Sequence, residues 1–210
     1  MARIEYADPD DLPPEKRPLL DTLSDRVDDE AEGDDAGSDD AGSDDADTGP
    51  EHSLEGGTLN VYRTMGRNVD LLEAFRTYGS AVWSDGGLTS LQRETVILST
   101  AVHADAAYEW QQHVRVALDE GMDPDRIVAI SRGDVDELPP EYAAIVEYVE
   151  AFVDGTVDDD THETIAAHFD EETILGIGML AGCYLGLARL LQALSVDLEA
   201  SFVGWELEDL

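Results

Sequence analysis

The chain has 210 residues, 49 of them Asp or Glu against 12 Lys or Arg, for a formal charge of -37 at neutral pH. An apolar content of 42% can build a core for one sizeable domain or two small ones, which excludes a wholly disordered chain. Direct nucleic-acid binding is excluded as well: affinity for polyphosphate rests on basic side chains displacing counterions, and no basic cluster is present.

In chain order, residues 1–27 form an N-terminal segment whose short helical candidate, Glu15 to Val27, is introduced by Pro13 and Pro14. The opening MARIEYADPDDLPP has neither a basic n-region nor an apolar h-region, so no secretory signal is expected. Residues 28–57 are polar and acidic. Between Asp28 and Asp47 they carry eleven carboxylates, no Lys or Arg, and the repeat AGSDD-AGSDD from Ala36, the composition of a solvated, disordered linker. The rest of the chain, residues 58–210, is the folding domain. Setting aside the eleven acids between Asp28 and Asp47 leaves 38 acids against the same 12 bases, with Lys16 the only lysine. Such self-repulsion is tolerable where molar salt shortens the Debye length to about 3 Å. The composition therefore reads as that of a cytoplasmic protein from a salt-accumulating halophile.

From Leu59 onward apolar residues recur at helical spacing with almost no strand-like alternation. The pattern predicts helices at 69–83, 90–104, 106–120, 124–131, 140–154, 161–168 and 171–195, an all-α bundle. Local signals support the boundaries. Thr89 followed by Gln92 forms a capping box, Gly121 is a C-terminal stop, Pro124 suits a first turn and Thr161 can cap. Ile174 to Ala188 is an uncharged run of fifteen residues, short of the roughly 20 that span a bilayer, and is read as a buried core helix rather than a membrane segment. Its Gly178, Gly182 and Gly186 make a small-residue ridge suited to close helix approach.

One constellation could carry chemistry. At about 100° per residue, His113 lies at the centre of the apolar stripe of the 106–120 helix, with Ala106, Glu109, Trp110, Val116 and Ala117 within about 60° of it. Gln111, Gln112, Arg115 and Asp119 fall on the opposite, solvated side. On the preceding helix Glu94 shares a face with Ile97, Leu98 and Ala101. Two inward carboxylates and a histidine should pair or serve a cavity, and Glu109 and His113, four apart, are placed to pair. Desolvation raises a carboxyl pKa while a histidine partner lowers it, so the cluster could exchange protons near neutral pH. The pattern fits a satisfied structural ion pair as well as catalysis. A metal on Glu109 and His113, with His103 one helix back, is a weaker option because closed sites use three or four ligands, and none is assigned. Cys183, the single cysteine, excludes an intramolecular disulfide framework.

The frame formed by Glu94, position 106, position 109 and His113 resembles the E-x11-C-x2-C-x3-H pattern of the alkylhydroperoxidase AhpD-like superfamily, which includes the carboxymuconolactone decarboxylases. The segment LTSLQRETVILSTAVHADAAYEWQQHVRVALDEGM and the tail LAGCYLGLARLLQALSVDLE are similar to the family's text, and the resemblance covers Leu59 to Glu199. It departs where the redox pair belongs, since Ala106 and Glu109 stand there. Disulfide-cycling peroxide reduction needs an attacking and a resolving thiol, so that activity is not expected. The resemblance implies an AhpD-like helical bundle assembled into trimers or hexamers. It also implies a cofactor-independent lyase acting on a small organic acid or lactone. In that reading His113 transfers the proton, Glu109 orients it and Glu94 is the second acid or base. Tyr108 and Trp110 either shape the substrate pocket or serve packing, and Arg93 either attracts an anionic substrate or joins a surface or intersubunit ion pair. A non-catalytic oligomer or ligand-binding protein is the alternative.

Overall fold

The computed structural model describes residues 1–21 and 59–210, and within them the protein is all-α. The expected linker 28–57 lies outside the described residues. The helices are α1 (Asn60–Met65), α2 (Val69–Ser84), α3 (Ser90–His103), α4 (Ala107–Asp119), α5 (Pro124–Arg132), α6 (Pro140–Asp154), α7 (Asp159–Ala166) and α8 (Glu171–Leu194). Short 3-10 turns occupy Pro9–Asp11, Pro14–Leu20 and Val135–Glu137.

Capping chemistry sets most boundaries. The Thr89 side chain accepts from the Gln92 amide while the Gln92 side chain accepts from the Thr89 amide, so α3 starts where the capping box puts it. Pro124 opens α5 behind Asp123, whose carboxylate accepts from the Asp125 amide. Thr161 does not cap α7. Asp158 does, taking the Thr161 amide at 2.9 Å, and the helix begins two residues earlier than expected. The Glu15–Val27 candidate is instead a 3-10 turn ending at Leu20, with Pro18 inside it, as far as the described residues run.

Helix α3 is the centre of the bundle, packed against α4, α5, α6 and α8. Every residue from Glu94 to Ala101 is buried, which favours partners within reach for its polar members, although the Ser99 hydroxyl finds none. Thr95 and Thr100 find theirs along the helix, donating to the Leu91 and Val96 carbonyls at 2.8 and 2.7 Å. One apolar cluster joins α3, α4, α5, α6 and the C-terminal tail around Trp110, Ile127, Ile130 and Val146; a second joins α3, α6, α7 and α8 around Ile97, Ile145, Ile177 and Leu180. A third seats residues 1–21 on the domain through Ala7, Leu12, Leu19 and Leu20, packed with Val61, Tyr62 and Leu72. That N-terminal segment is thus part of the folded unit.

By length and composition α8 is apolar enough to cross a membrane, yet Ile177, Leu180, Ala181, Ala188 and Leu191 are core residues of the bundle. Its tightest approach lies two residues before the predicted glycine ridge. A Cβ on Gly176 would sit 2.2 Å from the Gly86 carbonyl oxygen, whereas one on Gly186 would meet nothing within 4 Å. Gly176 lets the start of α8 touch the loop after α2 backbone to backbone.

Candidate active site

The turn between α3 and α4 is closed by Asp105 in the left-handed region (φ 52°), and α8 holds it in place. Arg189 and Gln192 donate to the Ala104 carbonyl at 2.8 and 2.9 Å, and Gln192 also donates to the Asp105 carbonyl at 2.8 Å. This fixes the register of α4 against α3, and hence where Glu109 and His113 stand relative to Glu94.

Glu94 is fully buried, and each of its oxygens is engaged. Oε2 faces His113 Nδ1 at 2.8 Å and Oε1 accepts from Arg93 Nε at 3.3 Å. Arg93 is itself braced by Glu120 at 3.5 Å and by the Trp83 ring, whose centroid lies 4.0 Å from its guanidinium carbon. His113 sits between two aromatic rings, Trp83 at 5.9 Å and Tyr184 at 5.0 Å, the latter edge-on. With Nδ1–H directed at a carboxylate, the basic lone pair of the imidazole is on Nε2.

Glu109 corrects the predicted pairing. It is only 3% exposed, and neither carboxylate oxygen meets a donor from another residue. The partner of His113 is Glu94, reached across the helix interface, and not Glu109 four residues back on its own helix. Burial pushes the Glu109 carboxyl up to about 8, offset only in part by its own backbone amide. The two carboxylates therefore differ in kind: one is ion-paired and positioned, the other neutral for most of the time at pH 7.

Glu109 and His113 line one cavity of about 70 Å³ with Leu59, Val61, Tyr62, Phe75, Gly79, Tyr108, Gln112, Cys183, Tyr184 and Leu187. Of the expected substrate contacts, Tyr108 reaches this cavity. Its hydroxyl donates to Glu199 Oε1 at 2.5 Å and accepts from the Val61 amide at 3.1 Å. Burial, followed by the Glu199 charge, raises its pKa, so it stays a phenol. Trp110 points elsewhere. It is fully buried, donates from Nε1 to the Gly204 carbonyl at 2.9 Å and packs on Trp205. Arg93 lies behind Glu94 rather than in the cavity wall.

Several participants escaped the helical wheel. Gln111, expected in solvent, is buried because the C-terminal tail covers it and the Val203 amide donates to its Oε1 at 2.7 Å. Gln112 lines the cavity and donates to Glu199 Oε2 at 2.8 Å, and Glu199 also accepts from the Asn60 amide at 2.6 Å. Glu199 thus ties α1 to two cavity residues of α4. Tyr184 and Cys183 come from α8, where only apolar character was visible. Burial pushes the Cys183 thiol up to about 11, far from the thiolate that attacks peroxides. Among the described residues no group of three or more His, Cys, Asp or Glu is arranged to hold a metal ion.

Residues 70–151 match the carboxymuconolactone decarboxylase family. No curated protein is significantly similar in sequence. Among solved structures, the fold is similar to the AhpD core of an uncharacterized peroxidase-related protein from Ralstonia eutropha JMP134, at TM-score 0.73 and 17% identity, covering 98% of this chain and 96% of that one. It is also similar to the debrominase Bmp8 in complex with 2,3,4-tribromopyrrole, at TM-score 0.63 and 18% identity over 68% and 78% of the two chains. A third likeness is to a peroxidase-related protein from Silicibacter sp. TM1040, at TM-score 0.63 and 17% identity over 69% and 78%. Residues 70–151 thus match the carboxymuconolactone decarboxylase family within a bundle whose fold is like that of AhpD, and a chain with a single cysteine has no pair of redox cysteines.

Proposed function

We propose that the protein is a cofactor-independent lyase that moves a proton at a carbon next to the carbonyl of a small organic acid or lactone. The observation that carries this reading is the 2.8 Å contact between Glu94 and His113 Nδ1, with the same imidazole lining a cavity that also holds Glu109. Glu94 fixes the tautomer and stabilises the imidazolium formed when Nε2 takes a proton. Glu109, neutral at pH 7, can donate to the oxygen on which enolate charge develops. Arg93 acts through Glu94 as a positioning residue. The similar fold of a debrominase bound to a small halogenated ring is in keeping with a small-molecule site.

The test is a screen of small carboxylates and lactones for CO2 release or product formation in molar KCl, with His113→Gln and His113→Ala beside the wild type. Loss of turnover with an unchanged melting temperature supports the reading. If the variants only destabilise the fold, the cluster is a structural polar network in a non-catalytic protein. Peroxide consumption with a dithiol donor that survives Cys183→Ser would contradict the thiol argument.

We also propose a homo-oligomer, a trimer or hexamer. It is supported by an apolar groove lined by Tyr78, Tyr148, Phe152, Leu175, Gly178 and Met179, in which Leu175 is 65% and Met179 44% exposed.

A further inference from the structure

The cavity distinguishes between the two substrate types just named, and the inference rests on the reading of His113 as the proton-transfer residue. Glu109 is buried, unpartnered and set in the cavity wall. An ionised carboxylate in that position would be an uncompensated buried charge, so the folded protein keeps the group as a carboxylic acid, which donates one hydrogen bond. The rest of the wall is polar only at Tyr62, Tyr108, Gln112, His113, Cys183 and Tyr184. Among the described residues no Lys or Arg lines the cavity. Arg93 divides its charge between Glu94 and Glu120 on the other side of the imidazole, and Arg76 on α2 lies over the Tyr62 ring, 4.6 Å from its centroid. The Tyr108 hydroxyl is directed at Glu199, itself an anion. Leu59, Val61, Phe75 and Leu187 supply an apolar surface.

We propose that the site selects an uncharged carbonyl compound, a ketone or lactone, whose carbonyl oxygen accepts from the Glu109 carboxyl group while the adjacent carbon faces His113. A substrate carboxylate would enter a largely apolar space beside the Glu109 carboxyl group, with no Lys or Arg in the wall to receive it. The elevated ionisation range of Glu109 agrees with this arrangement. Of the two substrate types the lactone is then favoured, and the reaction is enolisation followed by elimination. The proton removed from carbon goes to His113 Nε2, and the electron pair goes to the oxygen held by Glu109. In the elimination the enolate pair re-forms the carbonyl, a carbon–carbon double bond forms, and the substituent on the β-carbon leaves with its bonding pair and takes the proton back from His113.

Pentan-2-one and butanoate test this, because they share a propyl chain and differ by a methyl group in place of an anionic oxygen. Ligand-observed NMR titrations at pH 6.5 in molar KCl suppress the bulk charge of the chain and leave the local preference. The ketone is expected to bind at least tenfold more tightly than butanoate. Glu109→Gln, which keeps a neutral donor, should hold ketone affinity within about threefold, and Glu109→Leu should lose at least tenfold while remaining folded by circular dichroism. Butanoate binding as well as the ketone overturns the proposal, as does an unchanged ketone affinity in Glu109→Leu or no ketone binding at all. Binding is read without turnover, so the two claims separate. Selective ketone binding with no His113-dependent reaction sinks the lyase reading alone. Turnover of an acid with no ketone binding sinks this inference alone.

Discussion

Glu94 and Glu109 show how far one side chain's environment decides its chemistry. Both face inward, as their helical positions predict, but only Glu94 meets donors from other residues, Arg93 Nε and His113 Nδ1. Removing it leaves Arg93 and His113 without their shared acceptor, so Glu94→Leu should destabilise by about 3 kcal/mol, with Glu94→Gln costing less. In a turnover assay Glu94→Gln should lose about a hundredfold, because the imidazole is no longer held in one tautomer. Glu109 makes the opposite prediction for stability against pH. Its carboxyl ionises near 4.5 in the unfolded chain and near 8 in the folded one. Between those values the unfolded chain binds fewer protons, so stability falls as pH rises and levels off above 8. Denaturant unfolding at constant salt should show a loss of about 2–4 kcal/mol from pH 5 to 8.5, flattened in Glu109→Gln. A wild-type profile as flat as the variant's would mean that Glu109 is solvated. The inward direction of both acids was legible because helical periodicity is local. Their partners were not, because a contact from α4 to α3 depends on interhelical register, which Arg189 and Gln192 set from α8.

At the level of elements, caps and turns carried most of the information. The Thr89–Gln92 box, Pro124 and Pro140 act within a few residues, so the predicted starts of α3, α5 and α6 agree with the observed ones. Helix α1 was missed because its six residues, NVYRTM, show too little periodicity and are held by tertiary contacts of Val61 and Tyr62. The glycines of α8 illustrate the same limit. A spacing of four picks out Gly178, Gly182 and Gly186, but backbone contact occurs at Gly176, opposite Gly86. Gly176→Ala should therefore cost about 1–3 kcal/mol through overpacking, while Gly186→Ala, with open space at its Cβ, should be neutral or stabilise by up to about 1 kcal/mol. Thermal unfolding of the pair checks this directly. Equal effects at both positions would remove the close approach from the account.

For the molecule as a whole, charge and chemistry separate. Of the 49 acids, Glu94, Glu109 and Glu199 line or support the site, with Glu120 behind Arg93, and eleven fall in the sequence between Asp28 and Asp47. Unfolding midpoints should rise steeply between 0.1 and 2 M KCl as self-repulsion is screened, and a protein indifferent to salt would contradict the halophilic reading. Sedimentation in molar salt should give an oligomer that Leu175→Arg dissociates, since that change places a charge in the apolar groove. The all-α class was legible because the longer segments from α2 to α8 repeat the helical period. The cavity was not, because α1, α2, α4 and α8 each contribute to its wall. The central claim, proton transfer by the Glu94-held imidazole, is tested most directly by deuterium incorporation from D2O into a panel of small ketones, lactones and acids in molar KCl. The account predicts exchange at the carbon beside the carbonyl, at least about a hundredfold faster with wild type than with His113→Gln. Exchange no faster than in buffer across the panel, or equal rates with the two proteins, would contradict it.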